Sequence, residues 1–313
     1  MRRLVLLIIA LATLLPSLAQ AYDVLILQSR RDPAYEEVLS GFRSGGSVTQ
    51  RVVVLADYAE VDVVRIVRED RPRMILAVGD AAVTASRTVK NLPVVSVLAL
   101  GIHNKKYAPS NLTGISMFVQ PERYIALFKS MNIRRVGVVY NSEKSGWYQL
   151  LAGKAAREAG IELVVREISA PHEAATQLAA LSGKVDALWM LPDTTAVTRE
   201  TTEAYFRFGQ QNSVPVISFA PSYLGLGAAA VLEIDRVAMG QQAFALAAKL
   251  LNEMSTITPV ELCKGAAVKT NPVVLQKMGL PVKLMSLQPP PPLTHRDSLQ
   301  GLPEVSQLRD GSI

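Results

Sequence analysis

Four short polar segments could take part in chemistry, and each directly follows an apolar run. They are Gly79–Ala82, Asn141–Trp147, Pro192–Thr195 and Ser218–Pro221. If the apolar runs are parallel strands, these segments lie at the carboxyl edge of a sheet. Unpaired backbone N–H groups and helix dipoles gather at such an edge and bind ligands there. The chemistry predicted is therefore recognition of a small molecule.

The first two segments each have a ligand-binding and a simpler interpretation. In the ligand-binding interpretation of the first segment, Gly79 lets the backbone turn and the N–H groups of Ala81 and Ala82 are open to a ligand. In the simpler interpretation, Asp80 is an ordinary helix N-cap. In the second segment, Asn141 and Ser142 offer polar groups and Trp147 an aromatic wall, although capping by Ser145 alone would also explain the polar residues.

The other two segments add a carboxylate and a hydroxyl. Asp193, followed by Thr194, is expected to face a cleft, where a carboxylate pairs with a ligand ammonium group. Capping of a helix by Asp193 is the alternative. Ser218 is interpreted both as the end of a strand and as part of a crossing between two lobes.

Signatures of enzymes, metal sites and cofactor sites are lacking. His103, His172 and His295 are far apart in the chain, and none belongs to an H-E-x-x-H motif. Neither a G-x-S-x-G elbow nor a phosphate-binding glycine loop of the Walker type occurs. We expect no catalytic residue, no metal and no cofactor.

The composition of the chain argues against nucleic acid as a partner and against a reactive cysteine. The formal net charge is +6, and the cations are scattered along the chain rather than clustered, so nucleic-acid binding is not expected. The single cysteine, Cys263, has an apolar neighbour and is predicted to be buried rather than reactive.

The elements that must position the polar segments alternate between strands and helices. Predicted strands are 23–28, 51–55, 74–78, 94–98, 136–140, 163–167, 187–191, 214–219 and 228–233, and predicted helices are 60–69, 122–131, 147–159, 172–182, 198–212 and 235–253. Most of the strands are continuously apolar, as strands buried on both faces of a parallel sheet must be. This alternation indicates a doubly wound α/β architecture.

The pattern divides into two lobes around a loop predicted at 101–114. We assign 22–117 and 221–254 to lobe 1, and 118–220 and 255–285 to lobe 2. Small residues in the helix 235–253, among them Gly240, are expected to let it pack closely on a sheet.

Both termini are expected to lie outside the folded lobes. Arg2 and Arg3, an apolar run and Ala19-Gln20-Ala21 are typical of a cleavable signal peptide at 1–21, which predicts a periplasmic or other extracytoplasmic protein. No cysteine lies near the cleavage site, so a lipoprotein is not expected. Residues 286–313, with four consecutive prolines, are predicted to be a disordered tail.

Several segments together resemble the substrate-binding proteins of ABC transporters, which have the periplasmic-binding-protein type I fold. The branch that they resemble includes tryptophan- and phenylalanine-binding members. The segments that carry the resemblance are NLTGIS at 111–116, RVGVVYN at 135–141, VDALWMLPD at 185–193, MGQQA at 239–243, TNP at 270–272 and KMGL at 277–280.

The resemblance implies two lobes that close about a hinge on a small molecule, an amino acid or similar, and deliver it to a permease in the inner membrane without a reaction. A monomer is expected. In similar proteins, helix N-termini and hydroxyls hold the ligand carboxylate and an acid of the other lobe holds its amino group. The positions that match here are Gly79–Ala82, Asn141, Ser142 and Asp193. The ligand-binding residues expected from the sequence as a whole are Gln28, Ser29, Gly79, Asp80, Ala81, Ala82, Asn141, Ser142, Trp147, Asp193, Thr194 and Ser218.

Two alternatives remain open at this stage. The carboxylate of Asp80 would repel a ligand carboxylate, which favours a cationic, neutral or peptide-like ligand. A sensor or scaffold module of the cell envelope, with the same fold but a protein partner, is the alternative function.

Overall fold

The computed structural model describes residues 22–103, 110–253 and 257–281. The predicted signal peptide at 1–21, the predicted tail at 286–313 and residues 104–109 of the predicted loop lie outside the described residues.

The described residues form two six-stranded sheets, one in each lobe. The first has the order β11-β5-β4-β3-β1-β2 and the second β12-β10-β9-β8-β6-β7. All pairs are parallel except β10 with β12. The strands are β1 Val24–Gln28, β2 Gln50–Val54, β3 Met74–Val78, β4 Val94–Val97, β5 Leu112–Val119, β6 Arg135–Tyr140, β7 Glu162–Glu167, β8 Ala187–Trp189, β9 Val216–Ser218, β10 Ala230–Ile234, β11 Glu261–Cys263 and β12 Ala266–Thr270.

The helices of the described residues cover both sheets. They are α1 Pro33–Ser44, α2 Val63–Asp70, α3 Asp80–Ser86, α4 Pro121–Ser130, α5 Ser142–Glu158, α6 Ala174–Ala179, α7 Arg199–Asn212, α8 Arg236–Glu253 and α9 Pro272–Lys277. Within the described part of the chain, no helix combines the length and the apolar character needed to cross a membrane.

The strands predicted from apolar runs are confirmed to within two residues at each end, and so is the α/β architecture of two lobes. Burial explains the success, because side chains alternate between the two faces of each sheet. In β1, Val24 and Ile26 pack with α1, whereas Leu25 and Leu27 pack on the opposite face with α2 and α3. All four are fully buried, as the continuous apolar run predicts.

Three strands were not predicted. The segment 112–119, whose first three residues were assigned to the predicted loop 101–114, is the long strand β5, and β11 and β12 were missed. Gly114 lies in β5. A side chain there would place its Cβ 2.1 Å from the backbone oxygen of Ser96 on β4, so only glycine fits. Close approach of two strands, rather than a turn, accounts for this glycine.

The chain crosses between the sheets three times, at 119–121, 234–236 and 263–266. This corrects the predicted crossing at Ser218–Pro221, since β9 and β10 lie side by side in the second sheet. It also places β10 in lobe 2 and β11 in lobe 1, opposite to the lobes in which the sequence analysis grouped them. All three crossings leave the carboxyl end of a strand, so the carboxyl edges of the two sheets face each other.

Hydrogen bonds fasten the crossing segments together. Arg123 on α4 donates to the backbone oxygens of Lys264 and Ala266, at 3.1 and 2.6 Å. The Asp235 N–H donates to Gly265 O at 2.9 Å, which joins the second crossing to the third. The crossings therefore form one connected hinge.

Helix α8 packs on β4 and β5, as its small residues suggested, and it also packs closely on α1. A Cβ at Gly240 would lie 2.0 Å from Val38 O, and one at Gly41 would lie 2.0 Å from Val237 O. Only hydrogen fits at either position, so the two backbones are in direct contact. This contact holds α8 in lobe 1, although the strand before it belongs to lobe 2.

We expect Gly240→Ala to lower the free energy of unfolding by about 1–3 kcal/mol, because the new methyl group must force the helices apart. Urea unfolding of the purified protein measures the change.

Gly153→Ala on α5 is the matched control. The nearest neighbour of its Cβ is the tip of the Arg157 side chain, 3.4 Å away. Since alanine favours a helix, this control should stabilise the protein by up to about 1 kcal/mol. Equal effects of the two changes would contradict the close contact.

Candidate functional site

The predicted site residues lie at the two carboxyl edges that face each other across the cleft. On lobe 1 they follow β1 and β3, and on lobe 2 they follow β6 and β8 or end β9. The structure therefore brings the predicted segments to one region, but it gives several of their side chains structural partners.

On lobe 1, the turn after β3 is built around Gly79 and Ser29. Gly79 has a φ of 88°, and a Cβ there would lie 2.3 Å from the Tyr35 hydroxyl oxygen. Ser29 Oγ donates to Val78 O at 2.9 Å and accepts the Ala82 N–H at 3.0 Å. The N–H of Ala82 is thus already bonded and buried, contrary to the expectation that it is open to a ligand.

Ala81 is exposed at the same edge, and Gln28 is not. The side chain of Gln28 is buried and donates to Glu36 Oε1 at 3.2 Å. Gln28 therefore holds the start of α1 rather than projecting into the cleft.

Asp80 is exposed and caps a neighbouring turn, not its own helix. Its oxygens accept the N–H groups of Gly101 at 2.8 Å and of Leu100 at 3.3 Å. These bonds fix the 3-10 turn at 100–103, which carries His103. The place of Asp80 at the carboxyl edge was predicted, and its partners Leu100 and Gly101 were not.

Asp193 on lobe 2 is a buried structural carboxylate. It is 2% exposed. One of its oxygens accepts the Asn141 N–H at 2.8 Å and the Ser145 hydroxyl at 2.5 Å. The other accepts the N–H groups of Thr195 and Ala196 at 2.8 and 2.9 Å. Four donors occupy the lone pairs of both oxygens, so the expected pairing with a ligand ammonium group is corrected.

Helix α5 begins earlier than predicted, and Asn141, not Ser145, caps it. Asn141 Oδ1 accepts the Lys144 N–H at 3.2 Å, and its amide donates to Ile168 O at 2.9 Å. Ser142 and Thr194 are exposed at this edge. Ser218 is fully buried, and its hydroxyl has no hydrogen-bond partner within the described residues.

An aromatic contact joins the lobes beside the hinge. The imidazole of His103, on lobe 1, stacks on the indole of Trp147, on α5 of lobe 2, with ring centres 3.7 Å apart and planes 25° apart. Phe118 of β5 meets both rings edge-on, at 5.9 and 5.0 Å. Tyr148, the next residue of α5, is buried and donates its hydroxyl to Val119 O at 2.8 Å.

Residues 55–284 match the family model described as "ABC transporter substrate binding protein". The chain belongs to this family.

Known proteins that this substrate-binding protein resembles are distant in sequence. It is 24% identical over 197 residues to a protein of Clostridioides difficile named "Tyrosine-binding protein". That match covers 59% of this chain and 56% of the relative, so it spans little more than half of the relative's length.

Two solved structures share the fold. One is an ABC domain from Streptococcus pneumonia in complex with L-Trp, with 18% identity, a TM-score of 0.57, and coverage of 83% of this chain and 95% of that one. The other is the ligand-free, open structure of a substrate-binding protein with adhesive properties from Clostridium difficile, with 21% identity, a TM-score of 0.61, and coverage of 85% and 97%. The likeness to both shows the fold.

Three residues of the site were missed by sequence reasoning. They are His103 and Phe118, whose rings contact Trp147 from lobe 1, and Ser116, which bonds His103. His103 lies in a segment interpreted as loop, and the other two lie in β5, which was not predicted. Among the described residues no cluster of His, Cys, Asp or Glu could hold a metal ion.

We expect Asp193→Ala to lower the free energy of unfolding by about 3 kcal/mol or more, because it leaves buried donors of Asn141, Ser145 and Ala196 without an acceptor. Chemical unfolding measures the loss. Thr194→Ala is the control, since Thr194 is the exposed neighbour, and its effect should be within about 0.5 kcal/mol. An Asp193→Ala protein of unchanged stability would contradict the structural assignment.

Burial lowers the pKa of His103 to about 4 from its ordinary value of 6.5. Between these values the unfolded chain binds a proton that the folded protein does not, so stability falls as the pH is lowered. The loss linked to this group should be on the order of 2–3 kcal/mol between pH 7 and pH 4. Urea unfolding at both pH values should show a smaller loss in His103→Gln than in the parent. His172→Gln, at an exposed histidine, should behave like the parent.

Proposed function

We propose that the protein captures an amino acid with an aromatic side chain in the cleft and delivers it to an ABC permease in the inner membrane. It acts outside the cytoplasm, as a monomer, without making or breaking a bond. No metal or cofactor is required. A single observation carries the choice of ligand class: Trp147, a half-buried indole, lies where the two carboxyl edges meet.

The relatives support this choice. A match to a protein named for binding tyrosine and a shared fold with a domain in complex with L-Trp both favour an aromatic amino acid. An indole face stacks on a flat ring of a ligand with a gain of about 0.5–1.5 kcal/mol beyond burial of area. The sheet edges add hydrogen-bonding groups for the rest of the ligand.

The residues proposed to bind the amino group and the carboxylate of the ligand differ from those that the family resemblance implies. The carboxylate oxygens of Asp193 already accept hydrogen bonds from the protein. Asp80, the other acid among the predicted site residues, is exposed and is therefore the candidate partner of a ligand ammonium group. The exposed hydroxyls of Ser142 and Thr194 on lobe 2 are candidate partners of the carboxylate. A ligand held from both sides binds the closed arrangement better and so draws the lobes together.

A thermal-shift and calorimetric screen of the chain from Tyr22 onward tests the proposal. L-Trp, L-Tyr and L-Phe should raise the melting temperature, since a ligand at 100 times its dissociation constant adds about 2.7 kcal/mol to the folded state. Aliphatic amino acids, sugars and polyamines should give no shift. Silence across the panel would favour a sensor or scaffold module that acts on a protein partner.

Trp147→Ala should abolish the response to aromatic amino acids and leave the fold intact. Leu150→Ala is the control on the same helix, because Leu150 is 71% exposed. A Trp147→Ala protein that binds like the parent would place the ligand elsewhere.

A further inference from the structure

The aromatic face that the proposed ligand needs is covered by a ring of the protein itself. His103 lies parallel to Trp147 with a centroid separation of 3.7 Å, which is the contact distance of two stacked rings. No third ring fits between them. A ligand ring that stacks on this face of Trp147 must therefore first displace His103.

His103 is fixed on its own side of the cleft. Its Nε2 lies 2.6 Å from Ser116 Oγ, and the same oxygen accepts the Phe118 N–H at 3.0 Å. The turn that carries it is capped by Asp80 through Gly101. The imidazole is thus held against the indole by anchors on lobe 1, while the indole belongs to lobe 2.

The hydrogen-bonding capacity of the Trp147 indole is not satisfied in this arrangement. Trp147 Nε1 is buried and has no acceptor within the described residues. A buried donor without a partner costs about 1–3 kcal/mol. Removal of His103 from the stack would uncover the face of the indole on which it lies, and a ligand acceptor that reached the edge of the ring would satisfy this donor.

We propose that His103 is an internal competitor for the indole face of Trp147, which an aromatic ligand displaces when it binds. This inference rests on the proposed function, because it assumes that an aromatic ligand stacks on Trp147. The stack joins the lobes, and the work of breaking it is subtracted from the binding free energy. His103 thereby selects for ligands whose ring stacks better than an imidazole.

His103→Ala tests the inference by the sign of the change in affinity. If His103 competes, its removal should increase the affinity for L-Trp and L-Tyr by about two- to tenfold, the range of a lost aromatic contact. If His103 instead forms a wall that holds the ligand, the same change should weaken binding, and the inference is overturned.

His103→Phe separates the ring from the histidine. Phenylalanine keeps a flat ring on Trp147 but cannot bond Ser116, so its affinity for aromatic ligands should stay at or below the parent value. His172→Ala, at an exposed histidine, should leave binding unchanged. Affinities are measured by titration calorimetry, with melting temperatures recorded to confirm folding.

A measurement without ligand checks the stack itself. Acrylamide should quench indole fluorescence more strongly in His103→Ala than in the parent, and His103→Phe should resemble the parent. The change reports on Trp147, because Trp189, the other tryptophan, is fully buried. Unchanged quenching in His103→Ala would contradict the covered face.

The outcomes also separate the inference from the proposed function. If neither the parent nor the variants bind an aromatic amino acid, the proposed function fails and the inference fails with it. If the parent binds one and His103→Ala binds it more weakly, only the inference fails.

Discussion

Three crossings of the main chain between two sheets are the constraint on which the rest of the structure depends. Each crossing leaves the carboxyl end of a strand, β5, β10 or β11, so both sheets turn their carboxyl edges towards the same cleft. Hydrogen bonds from the Arg123 side chain and from the Asp235 N–H to backbone oxygens of 264–266 tie the crossings to one another. Relative movement of the lobes is thereby confined to a few residues at 119–121, 234–236 and 263–266, and every residue beyond the carboxyl edges moves with its own lobe.

Local sequence was sufficient for the elements that are buried on both sides, because an unbroken apolar run between polar turns fits few arrangements besides a strand inside a parallel sheet. It failed where an element is short or mixed in character. β11 has three residues, and β5 begins with Leu112, Thr113 and Gly114 directly after Asn111, a turn-like sequence. The lobe to which β10 and β11 belong could not be predicted either. Membership of a sheet depends on a pairing partner elsewhere in the chain, and β11 pairs with β5 across more than a hundred residues.

The candidate site shows the same limit at the scale of side chains. The position of Asp193 at a strand end was predictable from the apolar run before it. Its role was not, because Asn141 and Ser145, which share one of its oxygens, lie 52 and 48 positions away. A carboxylate that faces a ligand and one that braces a helix N-terminus look alike in sequence. His103 left no local signal for a similar reason, since its stacking partner belongs to the other lobe.

The contact of α1 with α8 affects when lobe 1 can be completed, because it joins distant parts of the chain. α1 ends at residue 44 and α8 begins at residue 236, so lobe 1 lacks one of its covering helices until the last quarter of the chain is present. Lobe 2 likewise gains its edge strand β12 only at 266–270. Such distant contacts slow folding, because a long loop must close before any of its bonds form. The last strands of the two sheets, β11 and β12, are only a few residues apart in the chain, so both halves of the cleft are complete only once the chain has reached about residue 270.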